Sequence, residues 1–312
     1  MDFQNEIVSR FPVRRSEAQK QLFRDWAVAK AAEMGYAASV ETDQKRKNNN
    51  VVIGNPDQAQ VLFTAHYDTP SRSIIPNYGF ANPLMFLLEI LCIVICVDFV
   101  TTGSGILLNK LPIHPDLRLA ISIVIHVLAF GVIAMMFAGP ANKNNVNDNT
   151  SGVSTVFSLM ERIPAELRSR VAFVLFDNEE KGLVGSSAYA KAHPAQAENT
   201  LVLNMDCVGD GETIIMSVNK QARELPEVAL LEKTMQATEG CKFLMHRKFS
   251  LLLSDHMNFK KGIAVGSFLY KKVIGYYEDK LHTPKDTVCD EKNIVYLTEG
   301  LTAFVAQLAK EA

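Results

Sequence analysis

Apolar positions along this chain fall into two recurring patterns. Short unbroken runs, VVIG at 51–54, QVLFTA at 60–65, VAFVLF at 171–176, LVLN at 201–204 and the stretch 264–270, read as β-strands, with an Asn55-Pro56-Asp57 turn between the first two. Between them lie segments with helical spacing, at about 17–34, 152–163, 182–191, 226–238 and 291–310. Ser16 is placed to cap the first of these and Gly35 to end it. Strands that are apolar throughout must be covered on both faces, which helices between parallel strands achieve. The predicted fold class is therefore α/β: a three-layer, mostly parallel mixed sheet with helices on both faces.

One window breaks this alternation. Residues 73–142 hold only five of the chain's 66 formal charges: Glu89, Asp98, Lys110, Asp116 and Arg118. Within it, residues 119–138 read LAISIVIHVLAFGVIAMMFA, without a formal charge and long enough to cross a bilayer as a helix. The run at 84–100 is also apolar but contains Glu89 and Asp98, each costing about 2.5–3.5 kcal/mol near a bilayer centre. The second run is the stronger span.

Composition narrows the classes. With 312 residues and 48% hydrophobic content, the chain can bury a sizeable core in one or two domains and is not disordered. Its 32 basic and 34 acidic residues leave no electrostatic footprint for nucleic acid. Five cysteines without a C-x-x-C pair argue against a disulfide scaffold, and Cys92 and Cys96 read as core or lipid-facing residues. The opening MDFQNEIVSRFPVRRSEAQKQ has no apolar stretch, so no cleavable signal peptide is expected. A catalytic domain in a reducing compartment follows as the expectation.

Candidate chemistry gathers where strands end. The strand at 60–65 runs into His66-Tyr67-Asp68, that at 171–176 into Asp177-Asn178-Glu179-Glu180, and that at 201–204 into Met205-Asp206. In open α/β sheets ligands collect at the carboxyl ends of strands, so these segments are expected to converge. Asp148, just before a helix, and His282, in Leu281-His282-Thr283-Pro284, join the set. Plainer readings exist for each: a hydrogen-bonded surface histidine, an aspartate helix cap, a glutamate pair favouring a helix start. Their co-occurrence in one chain, three of them closing apolar strands, favours a cleft that would hold two divalent metals, zinc above all.

The ordered segments His66-Tyr67-Asp68, Asn147-Asp148-Asn149-Thr150-Ser151-Gly152, Glu179-Glu180-Lys181-Gly182-Leu183-Val184-Gly185-Ser186, Asn204-Met205-Asp206 and His282-Thr283-Pro284-Lys285-Asp286-Thr287 resemble the co-catalytic zinc aminopeptidase family. That family includes secreted bacterial leucyl aminopeptidases, glutamate carboxypeptidase II and the glutaminyl cyclases. Ser254-Asp255-His256 also resembles the family's segment before its last metal ligand, and the likeness covers about residues 15–72 and 142–310. It implies two Zn2+ ions per chain, one held by His66 and Asp206 and the other by Glu180 and His282, with Asp148 bridging them. Asp68 would receive the other N–H of the His66 ring. Glu179 would act as general base, taking a proton from the attacking water and returning it to the leaving amine. Tyr276 or Tyr277 is a candidate for binding the oxyanion, with a structural role an equal reading. His256 stays open, and His114, His126, His193 and His246 have no motif context.

The chain departs from the family in one large respect. Eighty-two positions separate Asp148 from His66, and the surplus is the apolar window. Both flanks must reach one site, so the insert must leave and return on the same side. The expected organisation is a catalytic domain from 1–72 and 142–312, with 73–141 an inserted hydrophobic helical hairpin. The hairpin would be a two-span membrane anchor through residues 84–138, or a dimer interface or lid. The implied function is a zinc-dependent exopeptidase, an aminopeptidase acting on peptides. A glutaminyl cyclase-like transferase and a non-catalytic membrane-associated module are the alternatives. The polar N-terminus sets the expected location as membrane-associated with a cytoplasmic catalytic domain, or soluble cytoplasmic if the insert does not span; homo-oligomerisation is left open.

Overall fold

The computed structural model describes residues 2–73, 75, 77–248 and 252–311; Ile74 and Pro76, inside the expected insert, lie outside the described residues. The chain opens with α1 (Phe3–Arg10) and α2 (Glu17–Glu33), then β1 (Ala38–Asp43), β2 (Asn48–Gly54) and β3 (Val61–His66). A two-residue strand, β4 (Gly79–Phe80), leads into the long helices α3 (Pro83–Lys110) and α4 (Pro115–Ala138). Next come α5 (Gly152–Arg162), β5 (Val171–Phe176), α6 (Val184–Ala192), α7 (Pro194–Asn199) and β6 (Leu201–Met205). The remainder is β7 (Thr213–Val218), α8 (Pro226–Ala237), β8 (Lys242–His246), β9 (Gly262–Lys271), β10 (Gly275–Glu278) and α9 (Glu291–Glu311).

These strands form one mixed sheet in the order β1-β2-β5-β3-β6-β9-β10-β4, with β7 on β9 and β8 on β7. Its centre, β5-β3-β6-β9, is parallel, while β2 joins β5 and β10 joins β9 antiparallel. Every residue of β3, β5 and β6 is buried. Alternate side chains serve two cores, as the pleat requires. Phe63, Phe173 and Leu203 meet the layer that includes Phe23, Val156, Phe157 and Leu301, whereas Leu62, Val174 and Val202 meet Tyr189 and Phe259. Burying each such side chain stabilises the fold by about 1.5–3 kcal/mol. This is the predicted three-layer architecture. Sequence reading passed over β1, whose ASVETD pattern is half exposed, and β4, β7, β8 and β10.

Serine 16 caps α2 as expected. Its hydroxyl accepts the Gln19 N–H, and the Gln19 side chain accepts the Ser16 N–H, satisfying two otherwise orphaned donors.

The apolar window leaves and re-enters the sheet domain at one place. Ser71 bridges Ala141, and Arg72 N–H donates to Pro140 O at 2.7 Å. Between these ends, α3 and α4 pack against each other, and an 18-residue apolar window in each has no buried residue. The 28 residues of α3 extend about 42 Å, and the 21 apolar residues Pro115–Met135 of α4 about 31 Å.

Candidate functional site

Strand register brings the chemistry together. His66 is level with Phe176 across the parallel β3–β5 pair, and Thr64 is level with Asn204 across β3–β6. His66, the turn after Phe176 and Asp206 therefore all emerge at the same carboxyl edge of the sheet. The turn after β5 is shaped by Asn178 in the left-handed region (φ 55, ψ 38), a conformation that asparagine tolerates. Lys20 fastens it through Asp177 at 2.6 Å and Asn178 Oδ1 at 2.9 Å, in a fully enclosed ion pair. Gly185 lets α6 approach closely, since a Cβ there would lie 2.2 Å from Asp177 O.

At this edge the predicted residues converge. His66 Nε2 lies 3.4 Å from Asp148 Oδ1 and 3.5 Å from Asp206 Oδ1, and His282 Nε2 lies 3.1 Å from Asp148 Oδ2 and 3.4 Å from Glu180 Oε2. Three groups, His66–Asp148–Asp206, Asp148–Glu180–His282 and His66–Glu179–Glu180, each have candidate ligand atoms within 4.8 Å of one another. Most of these separations are long for a charge-assisted hydrogen bond, which prefers about 2.7–2.9 Å. They match ligand-to-ligand spacing: two atoms each about 2.1 Å from a tetrahedral ion lie about 3.4 Å apart. Glu180 Oε1 is buried with no hydrogen-bond partner among the described residues. The donor set and its spacing fit divalent metal ions.

Supporting contacts hold these groups in place. Asp68 lies 3.5 Å from His66 Nδ1, and its two oxygens accept the backbone N–H groups of Glu179 (3.0 Å) and Glu180 (3.3 Å). Asp286 accepts the backbone N–H groups of Asn147 (2.7 Å) and Asp148 (3.0 Å). Asp206 Oδ2 ends a relay in which Thr64 donates to Asn204, Asn204 to Ser254, and Ser254 to Asp206 at 2.5 Å. Arg14, fully buried, donates to Tyr67 O, Phe11 O and Thr150 Oγ1. His282 and Cys207 join Asn178 and Leu183 in adopting positive φ, concentrating backbone strain around the cleft.

The electrostatics also call for cations. Burial raises Glu180 to about 8, with Asp148 and Asp68 adding to the rise, and it carries Glu179 well above the usual carboxylate range, helped by Glu180, Asp255 and Asp206. Burial opposes a charged His282, yet Glu180 and Asp148 outweigh it and raise that imidazole to about 9. His66 is likewise held high by Glu179, Asp148 and Asp206 against burial. Burial lowers Arg14 to about 10, although Asp68 and Asp148 draw it the other way. Burial, followed by Asp206 and Asp148, pushes Glu278 well above its ordinary value. Acids kept from ionising and imidazoles kept protonated mark a site whose negative charge exceeds what the protein supplies to offset it.

A family model described as Peptidase family M28 matches residues 132–302. The chain belongs to peptidase family M28. That family is in general zinc-dependent. Among curated proteins, this M28-family chain is 24% identical over 151 residues to a probable leucine aminopeptidase of Arthroderma benhamiae, covering 46% of this chain and 41% of the relative. A probable leucine aminopeptidase of Arthroderma otae is 24% identical over 174 residues, 52% of this chain and 48% of that one. The matches span less than half the length of these relatives. Among solved structures, Porphyromonas gingivalis glutaminyl cyclase superposes with a TM-score of 0.63 at 16% identity, covering 98% of this chain and 96% of that one. Legionella pneumophila LapA aminopeptidase gives 0.59 at 14% identity, covering 99% and 70%. At such identities these two likenesses establish the fold.

The M28 cleft encloses a cavity of about 260 Å³ that His66, Asp148, Glu179, Glu180, Asp206 and His282 all line. Neither Tyr276 nor Tyr277 is among its lining residues. Tyr276 packs on Tyr270, with ring centroids 5.0 Å apart, and Lys271 sits over the Tyr277 ring at 5.1 Å. His256 is buried away from the cavity, and burial lowers it to about 4. Sequence reasoning gave no role to Arg14, Ser254, Glu278 or Asp286. Ser254 and Asp286 lay inside recognised motifs, which was the available signal; Arg14 and Glu278 lay outside any motif.

Proposed function

We propose that this M28 peptidase is an aminopeptidase with two zinc ions, held by His66 and Asp206 and by Glu180 and His282, with Asp148 shared. The observation that carries this reading is the division of one carboxylate: Asp148 Oδ1 faces His66 at 3.4 Å and Oδ2 faces His282 at 3.1 Å. Bound ions would polarise the scissile carbonyl and acidify the attacking water. Glu179 lies beside Glu180 and lines the same cavity, so its carboxylate can take a proton from water as the C–O bond forms. It then delivers that proton to the leaving nitrogen as the C–N bond breaks. Asp68 fixes the Glu179-Glu180 backbone while facing the His66 ring, so one residue orients both base and ligand. The aminopeptidase assignment takes its support from the curated relatives. Product analysis by mass spectrometry on a pool of free, acetylated and Gln-initiated peptides tests it. Stepwise loss from free N-termini alone is expected; internal cuts, C-terminal trimming or ammonia loss from Gln-initiated peptides would overturn it.

We also propose that residues 73–141 form a unit inserted into the catalytic domain, with α3 and α4 as a two-span hairpin that anchors it in a membrane. Both helices reach the roughly 30 Å of a hydrocarbon core. Two of their acids find partners: Glu89 accepts the Tyr78 N–H at 3.2 Å, and Asp98 accepts from Thr102 Oγ1 at 3.1 Å. Retention of the full chain in membranes after alkaline carbonate extraction is the expected result, and release into the supernatant would refute the anchor.

A further inference from the structure

Among the described acids that line the cavity, the hydrolytic scheme leaves Glu278 without a role. Glu278 is the last residue of β10, is 9% exposed and lines the same cavity as the histidine–carboxylate cluster. Its Oε1 has no hydrogen-bond partner among the described residues. The β10–β4 pairing sets it opposite Gly79, and a Cβ on Gly79 would come within 2.5 Å of Glu278 Oε2. The glycine leaves room for the carboxylate to lie across β4. An enclosed carboxylate without a partner is costly, so a cation entering from outside would relieve it.

The surrounding wall indicates which cation. Tyr78, Phe80, Phe86, Leu252, Val265 and Phe268 give the cavity an aromatic and aliphatic lining. The Tyr78 and Phe80 rings are stacked, with centroids 5.8 Å apart. Such a wall suits a methylene stem, and a carboxylate beside aromatic rings suits a positively charged head. Building on the aminopeptidase reading, we propose that Glu278 makes this enzyme select substrates with an N-terminal lysine or arginine. The aliphatic stem lies along the apolar wall and the charged head meets the Glu278 carboxylate.

The test uses the full chain, zinc-reconstituted in detergent, and peptides identical except for N-terminal Lys, ε-acetyl-Lys, norleucine or Leu. The expected kcat/KM for Lys is at least tenfold above the three neutral analogues, carried mainly by KM. In Glu278→Gln, which keeps the side-chain volume, the Lys-to-norleucine ratio should fall at least tenfold. A wild-type enzyme that prefers Leu or norleucine, or treats Lys and ε-acetyl-Lys alike, would overturn the proposal without touching the aminopeptidase reading. So would a Glu278→Gln loss that is equal for every peptide, which would assign the carboxylate to the substrate α-ammonium or to folding. Failure to hydrolyse any of the four would overturn the aminopeptidase reading and this inference together.

Discussion

Asp68 Oδ1 accepts the backbone N–H of Glu179 at 3.0 Å while lying 3.5 Å from the His66 ring. A residue two places after a strand-end histidine thus positions a glutamate more than a hundred residues away. In Asp68→Asn, the amide N–H2 must face one of the two backbone N–H groups or the imidazole, and one contact becomes repulsive. Metal affinity or turnover should fall about 10–100-fold, read by chelator competition and by kcat. Unchanged values for both would show that the contact is incidental.

Adjacent glutamates are assigned different work. Glu179→Gln should lower turnover by at least about 100-fold yet retain metal, whereas Glu180→Gln should lose metal. Elemental analysis of the two purified variants decides the matter. Metal loss in Glu179→Gln with full occupancy in Glu180→Gln would reverse the assignment.

Stability should depend sharply on Lys20. The Lys20–Asp177 pair is enclosed at 2.6 Å, with side chains 4% and 0% exposed. Lys20→Met leaves Asp177 buried without a countercharge, with only the Asn49 N–H among the described residues donating to it at 3.1 Å, a loss of about 3–5 kcal/mol, which thermal or urea unfolding would register. Adding Asp177→Asn should recover part of that loss. A double variant no better than the single one would indicate that Lys20 acts through packing alone.

His256 should make the protein acid-sensitive. Burial lowers its pKa from the ordinary 6.5 to about 4, so between those values the unfolded chain binds a proton that the folded chain refuses. Its contribution is intact above pH 6.5 and erodes as pH falls towards 4, by up to about 3 kcal/mol. In His256→Gln, the unfolding midpoint should change less between pH 7 and pH 4.5 than in the wild type. Parallel pH profiles would exclude His256 as the source.

The parts of the fold legible in the sequence were those whose environment is uniform. Runs such as VAFVLF announce strands because both faces are buried, and they place His66, Glu179 and Asp206 at strand ends. β1 and β4 were not legible: one is a half-exposed edge and the other has two residues whose pairing depends on β10. The five proposed ligands were legible as motifs. Asp286 holding the Asp148 backbone, and the relay from Thr64 through Asn204 and Ser254 to Asp206, were not, because each spans distant segments.

Local pattern by itself determined the apolar strands, the capped helix α2, the two long apolar helices and the identity of the acids and histidines, since periodicity and side-chain chemistry are properties of neighbouring residues. Tertiary structure decided what those residues face. Strand register levelled His66 with the turn that carries Glu179, the return of the apolar insert beside Ser71 carried Asp148 back to the sheet edge, and β10 laid Glu278 across Gly79. Distances between atoms far apart in the chain follow from how the whole core packs, which no local pattern encodes.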